Sequence, residues 1–342
     1  MDARRMKRTA WIALAAVPAM VLAACSSASP ADNGNDEGAT SELTLTHSYT
    51  EDQPQHRCGA QVIADEVEQA DVGLTIEIFG SSQLGGDADR IASVASGDID
   101  IDIQGASALG AVYEPISVLD AAYAFDDAAH LAAFMDSDAS DIVVDGLVEA
   151  SGVHTLGAWS AGARHFTANT PIRTPDDLEG LRMRFPGSPQ YLMNAKAMGA
   201  TATEVAYEEL YLALQQGTVD GQENPITNIK SQNLSEVQDY LSLSSHQLNT
   251  NLVIMSSKWE ELSGEQQDAL TSAVEKAVTE VTTCVAEYEE ATFEEWRSAG
   301  ELEIIDDVDV DAFQDKAVAY LNDNLEGDSL EVFEAIRSSS SK

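Results

Sequence analysis

Arg164, Arg173, Arg182 and Arg184 follow a stretch from Ile91 to Ala163 that contains neither lysine nor arginine. In a chain so poor in cations, this clustering implies one region that must be locally positive. Arg184 stands in Leu181-Arg-Met-Arg-Phe-Pro-Gly-Ser188, fixed between a short strand and the Pro186-Gly187 corner. Further on, Tyr211–Pro225 closes with Gly-Gln-Glu-Asn-Pro, a second short strand ended by the pair Asn224-Pro225. A guanidinium offers a carboxylate two parallel N–H···O bonds and stays charged at any relevant pH. Asn224 can donate an amide N–H to the same carboxylate, and Pro225 prevents a helix from running through it. The chemistry suggested is capture of a small carboxylate, with Arg184 as clamp and Arg164 as a second cation. The bland alternative is that these arginines are structural, Arg173 and Arg182 pairing with Asp176, Asp177 or Glu179.

Bond-breaking chemistry has no comparable signature. The chain lacks a G-x-S-x-G elbow, a phosphate-cradling G-x-x-x-x-G-K, a G-x-G-x-x-G fingerprint and a zinc-binding pattern. The six histidines are scattered without ligand spacing, so neither metal nor cofactor is expected. Carboxylates abound, yet no spacing singles out a glycosidase pair. The chain carries 59 acidic against 18 basic residues, a formal net charge of −41. That charge excludes nucleic acid and anionic lipid surfaces as main partners.

The elements that must position these residues begin behind an export signal. Arg4, Arg5, Lys7 and Arg8 precede the short apolar core Trp11–Leu22. Leu22-Ala-Ala-Cys25 looks like a lipobox, which makes residues 1–25 a lipoprotein signal and Cys25 an acylated N-terminus. Residues 26–42, rich in Ser, Ala, Asp, Asn and Gly, should be a flexible tether. The expected location is extracytoplasmic, anchored to a membrane only by lipid. Cys58 and Cys284 are then left, and an even count in an oxidising compartment permits one disulfide. Both could instead be small buried apolar residues.

Strands are expected at Leu43–His47, Leu74–Phe79 and Ile99–Ile103, separated by helices over Gln55–Gln69 and Ala88–Ser96, the latter capped by Asp87. That alternation predicts parallel pairing. A helical section over Asp126–Ala150 leads to a strand at Val153–Trp159. The alternation resumes with strands at Leu181–Phe185, Ala200–Val205 and Val219–Gln222, then at Tyr240–Leu243 and Leu252–Met255. Ser263-Gly-Glu-Gln266 is a capping box opening one uninterrupted helix to Gly300. At about 1.5 Å per residue it would be roughly 50 Å long, enough to cross a two-part molecule.

From about Leu43 to Ser339 the chain resembles the solute-binding proteins of tripartite ATP-independent periplasmic (TRAP) transporters. The likeness is carried by Ser81-Ser-Gln-Leu-Gly85, Gly162-Ala-Arg-His-Phe-Thr-Ala-Asn169, Leu181–Pro186 and Tyr211–Pro225, in that order, with the long helix and the lipobox. It implies an α/β fold of two lobes, mixed sheets flanked by helices, with one long helix crossing both. Lobe I would take residues 43–161 and 250–289, lobe II residues 162–249 and 290–342. It also implies a monomer that closes on a small organic acid and delivers it to membrane permease subunits, with no enzymatic step. By position, Arg184 would be the principal clamp, Arg164 a second contact and Asn224 a further donor. Tyr207 would lie against the ligand, Tyr49 and Asp87 would touch its other end, and Trp159 would line the cleft. Where sialic-acid-binding members have an acidic residue after the third strand, this chain reads Gln104-Gly105-Ala106. Sugar acids, dicarboxylates and 2-oxo acids all fit a paired-arginine site, with a polar sugar or hydroxy acid favoured. The competing readings are a binding protein for an ATP-driven importer and a surface hydrolase acting on an acidic sugar.

Overall fold

The computed structural model describes residues 41–340; the export signal, Cys25 and the tether up to residue 40 lie outside the described residues. The chain opens with β1 (Ser41–His47), which takes Ser41 and Glu42 from the expected tether into the sheet. A π-helical turn (Gln55–Ala60) runs into α1 (Gln61–Ala70), followed by β2 (Leu74–Phe79), α2 (Asp87–Ser96) and β3 (Ile101–Gly105). β1 pairs in parallel with both β2 and β3, as the alternation predicts. β3 begins two residues later than expected. The amides of Asp98 and Ile99 both donate to the Ser93 carbonyl, so these residues finish the end of α2 instead of joining the sheet.

Then come α3 (Ala106–Leu109), a 3-10 segment over Glu114–Asp120, α4 (Ala128–Met135) and α5 (Asp141–Ser151). The single helical section expected over Asp126–Ala150 is therefore broken. Ser137 and Ser140 hydroxyls donate to the Phe134 and Met135 carbonyls and compete with helix continuation there. β4 (His154–Ala168) precedes β5 (Arg182–Phe185), α6 (Pro189–Met198), β6 (Thr201–Glu204), α7 (Leu210–Gln215), β7 (Gly221–Pro225) and α8 (Ile226–Ser231). The chain ends with β8 (Tyr240–Met255), α9 (Gly264–Ala299), β9 (Glu303–Ile305), α10 (Val310–Asn324) and α11 (Gly327–Ser338).

β4 and β8 are the largest departure from expectation. They span 15 and 16 residues, where the sequence pattern predicts shorter pieces. They pair antiparallel along their length and join everything into one sheet of order β2-β1-β3-β8-β4-β7-β5-β6, with β9 on β8. Two of the register irregularities in the β4–β8 pair, at Ser160/Ala163 and Arg164/Phe166, fall where the pair passes from one half to the other. Bulges bend and twist a strand pair, so one continuous sheet can serve two lobes.

Helix α9 ties the halves together. Ser263 and Gln266 form the expected reciprocal cap, and Gly300 ends the helix with φ 68°. Leu270, Val274 and Val281 pack with Leu43, Leu45 and Ile63 in one apolar cluster. At the other end Trp296 packs with Leu241 and Leu302 in a second. The helix lies so close to β4 that a Cβ on Gly157 would come within 2.6 Å of Val274 Cγ1. Cys58 in the π-helical turn is bonded to Cys284 of α9, so the disulfide alternative holds. No described helix is long and apolar enough to cross a membrane.

One carboxylate of α9 sits against the β4 irregularity. Glu289 Oε1 is buried with no hydrogen-bond partner, and burial pushes its carboxyl up to about 7. Gly162 has φ 101° there, and a Cβ on it would lie 2.2 Å from Glu289 Oε1. With the native value above the ordinary one, the folded state binds more protons between pH 4.5 and 7. Stability from this group is therefore greatest in acid and falls as pH rises through that window, by about 3 kcal/mol in total. Glu289→Gln should raise the melting temperature at pH 8 by about 5 °C and leave it nearly unchanged at pH 4.5. Thermal melts at both pH values check this; an equal gain at both would reject the titration account.

Candidate ligand-binding site

Period-two alternation explains how β5 presents its arginines. Met183 and Phe185 enter the main apolar core, which turns Arg182 and Arg184 to the opposite side. Arg182 is exposed and held by Asp220 at 2.6 Å, and Arg173 pairs with Asp307 at 2.9 Å. Both are structural, though with other partners than the nearby acids expected. Arg184 is different: it is 2% exposed and its Nε donates to the Val205 carbonyl at 2.9 Å. Among the described residues the buried cations are Arg90, Arg164 and Arg184, and Arg184 alone has no carboxylate partner. Burial pulls its guanidinium down to about 10, with Arg164 pushing the same way and Glu223 opposing, so it remains charged at neutral pH.

Arg184 lines a cavity of about 570 Å³. Arg164 of β4, Asn224 of β7 and Tyr207 line it too, and Tyr49, Asp87 and Gln104 reach it from the β1–β3 half. Hydrogen bonds join the two sides around it. Ser82 Oγ donates to Glu208 Oε1 at 2.9 Å, Ser107 and Ser188 hydroxyls meet at 2.6 Å, and Gln53 Nε2 donates to Asn228 Oδ1 at 3.0 Å. Six of the seven residues expected at the site are thus brought together.

Two expectations need correction. Trp159 does not line the cavity; it is 1% exposed, in the apolar cluster beneath α9, where its ring would meet a Cβ placed on Gly59. Alternation along β4 and the tight approach of α9 turn it inward. Arg164 lines the cavity but is not a free cation. Its guanidinium grips the buried Glu223 carboxylate through Nε and Nη2, and Nη1 donates to Asn249 Oδ1 at 2.5 Å. It also lies over the Tyr191 ring, 4.8 Å from the centroid. The charge is neutralised within the protein.

Asn224 spends one N–H on Gln222 Oε1 at 2.5 Å, and its own oxygen accepts from Asn228 at 3.2 Å. Tyr49 donates its hydroxyl to Asn251 Oδ1 at 2.9 Å. Asp87 accepts from Ser48 and from Arg90, both at 2.9 Å. Glu223, Tyr191, Asn249 and Asn251 are the participants that sequence reasoning missed. Asn249 and Asn251 stand two apart in β8, the spacing of one strand face, but a polar run is a weak strand signal. Among the described residues no cluster of three or more His, Cys, Asp or Glu could hold a metal ion.

This arrangement of a sheet continuous through two halves, a lobe-crossing helix and a cavity with a buried cation matches known proteins. The family model for bacterial extracellular solute-binding protein, family 7 (DctP), matches residues 45–327. The chain belongs to this family. The 2,3-diketo-L-gulonate-binding periplasmic protein YiaO of Escherichia coli is 31% identical to this family member over 81% of the chain and 84% of its own length. The sialic acid-binding periplasmic protein SiaP of Vibrio cholerae is 34% identical over 64% of the chain and 68% of its own length. A TRAP periplasmic solute-binding protein from Polaromonas, solved with D-erythronate, superposes with a TM-score of 0.81. It shares 29% identity over 88% of this chain and 99% of that one. The fold is therefore the two-lobed α/β fold of TRAP solute-binding proteins, long helix included.

Proposed function

We propose that this protein captures a small organic acid between its two lobes outside the cytoplasm and hands it to a TRAP membrane permease. The observation that carries the reading is Arg184: a buried guanidinium at a cavity wall, with its Nε anchored and no carboxylate of its own. An unpaired buried charge is costly, and an incoming carboxylate supplies the missing partner. Asn224 offers its second N–H, Tyr207 an aromatic face, and Tyr49 and Asp87 the opposite side. Arg164 serves by holding Glu223, Asn249 and the Tyr191 ring in place more than by charge. The lobes, 43–161 with 250–289 and 162–249 with 290–342, close by bending at β4 and β8. Acylated Cys25 ties the monomer to the membrane. TRAP solute-binding proteins of the same fold, solved with L-galactonate, with density assigned to pantoate, or with succinate, support carboxylate capture.

The test is thermal melting with a panel of small carboxylates, with the ligand recovered and weighed by mass spectrometry. A binding protein rises in melting temperature and returns the acid unchanged, whereas a hydrolase consumes an acidic sugar. At a hundred times the Kd, stabilisation of about 2.7 kcal/mol is expected. Arg184→Lys should abolish most of it while the apo protein melts almost where the wild type does, because an ammonium lacks the fork. An undiminished response in that variant would reject the clamp.

A further inference from the structure

Glu289 sits where closure of the lobes has to bend the molecule. Leu270, Val274, Val281 and Val285 of α9 pack in one apolar cluster, whereas Phe293 and Trp296 pack in another. The stretch from Ala286 to Thr292 between them belongs to neither. Within it the Thr292 hydroxyl donates back to the Tyr288 carbonyl at 2.7 Å, a contact that favours bending of a helix. Against this stretch lies Gly162, at φ 101°, inside the β4 irregularity between Ser160 and Ala163. Its amide leaves the ladder and donates to Ser160 Oγ at 3.1 Å. Glu289 Oε1, buried and without a hydrogen-bond partner, is thus wedged between the two segments that must move against each other.

The side chain has an exit. Glu289 also borders a surface groove on α9 formed with Ala286, Glu290, Phe293, Glu294 and Arg297. The described form is closed, with Ser82–Glu208, Ser107–Ser188 and Gln53–Asn228 hydrogen bonds across the cavity. Charged and titratable groups on the segments packed against this part of α9 are engaged elsewhere. In β4, Arg164 grips Glu223 and His165 Nδ1 accepts from the Ser245 amide. Lys230 of α8 pairs with Glu295, His56 of the π-helical turn meets His47, and Asp52 and Arg57 act on Tyr288. Burial is accordingly the cause of the raised carboxyl of Glu289.

We infer, on the carboxylate-capture reading above, that Glu289 makes closure on the ligand proton-linked: the closed lobes hold it neutral, and opening swings it toward the groove, where it ionises. A buried carboxylate without a donor is costly, and the neutral acid avoids that cost. Closing therefore draws one proton from solvent, and opening returns it. The closed value, about 7, lies above the ordinary 4.5, so between those limits acid favours closure and rising pH favours release. If the open form has the ordinary value, binding weakens about tenfold from pH 6 to pH 8.

Isothermal titration with D-erythronate, L-galactonate, pantoate and succinate, at pH 6 and pH 8 and in buffers of different ionisation enthalpy, counts the protons taken up. At pH 6 the wild type should take up close to one proton more per ligand than Glu289→Gln, and at pH 8 almost none. The variant, locked neutral, should bind at pH 8 about tenfold more tightly than the wild type and nearly as tightly as it does at pH 6. Because Asp102 and Asp120 near the cavity also carry raised values, the difference between the two proteins is the readout. Equal proton uptake and equal pH dependence in both would overturn the inference and leave carboxylate capture standing. So would loss of binding in a folded Glu289→Gln, which would mean that closure needs the charge. Absence of binding by all four acids in both proteins would overturn the inference together with the reading on which it rests.

Discussion

Serine at both Cys58 and Cys284 should lower the free energy of unfolding by about 5 kcal/mol, the loop-closure value for a long cross-link. The bridge spans 226 residues of sequence, so in the unfolded chain it removes an unusually large share of conformational freedom. It joins the π-helical turn after β1 to the middle of α9. Denaturant titration of wild type, reduced wild type and the double variant measures the effect. The reduced wild type and the variant should coincide. Ligand affinity should survive, because neither cysteine lines the cavity. Identical midpoints in all three would mean that packing of α1 against α9 already confines the unfolded ensemble and that the bridge adds nothing.

The parts of the molecule legible in the sequence are those governed by local rules. The Ser263 cap, the long apolar stripe of α9 and the βαβ alternation through β1–β3 need only near neighbours, and they appear as expected. Arg184 was legible for a related reason: a strand, a proline corner and an arginine at the alternating position fix its side without reference to the rest of the chain. What escaped depends on distant partners. The middle of β8, Ser244 to Asn251, reads as a polar loop because hydrophobic alternation fails. Yet Ser244, His246, Gln247, Asn249, Thr250 and Asn251 are all buried, each facing another polar group or the cavity. A strand that crosses between two lobes is buried on both faces, so period two carries no signal there.

Arg164 escaped in the same way. Its partner lies 59 residues away in sequence and meets it only because β7 pairs antiparallel with β4, setting Phe166 opposite Glu223 and Arg164 opposite Pro225. That register puts Arg164 and Glu223 on a diagonal of one face, within reach of long side chains. Two arginines near each other in sequence thus acquire opposite fates. One is neutralised by the scaffold and one is left for the ligand. The acidic background of the chain has little part in this, since screening confines it to about 8 Å at physiological salt.

Glu223→Gln should therefore have two effects of opposite sign. The apo protein should lose about 3–5 kcal/mol, the cost of leaving a buried cation without its carboxylate. Glu223 accepts from Arg164 twice and from His246 Nε2 at 3.3 Å, and Arg164 together with His246 holds its carboxyl below the ordinary range in spite of burial. The amide keeps the shape but removes the charge, so Arg164 and Arg184 then face the cavity as two unneutralised neighbours. A carboxylate ligand relieves both at once, and the ligand-induced rise in melting temperature should exceed that of the wild type. Melts with and without saturating ligand separate the contributions. A variant as stable as the wild type would mean that the ion pair contributes nothing. A destabilised variant with a smaller ligand response would mean that Glu223 shapes the pocket, and that its charge does not decide which arginine is free.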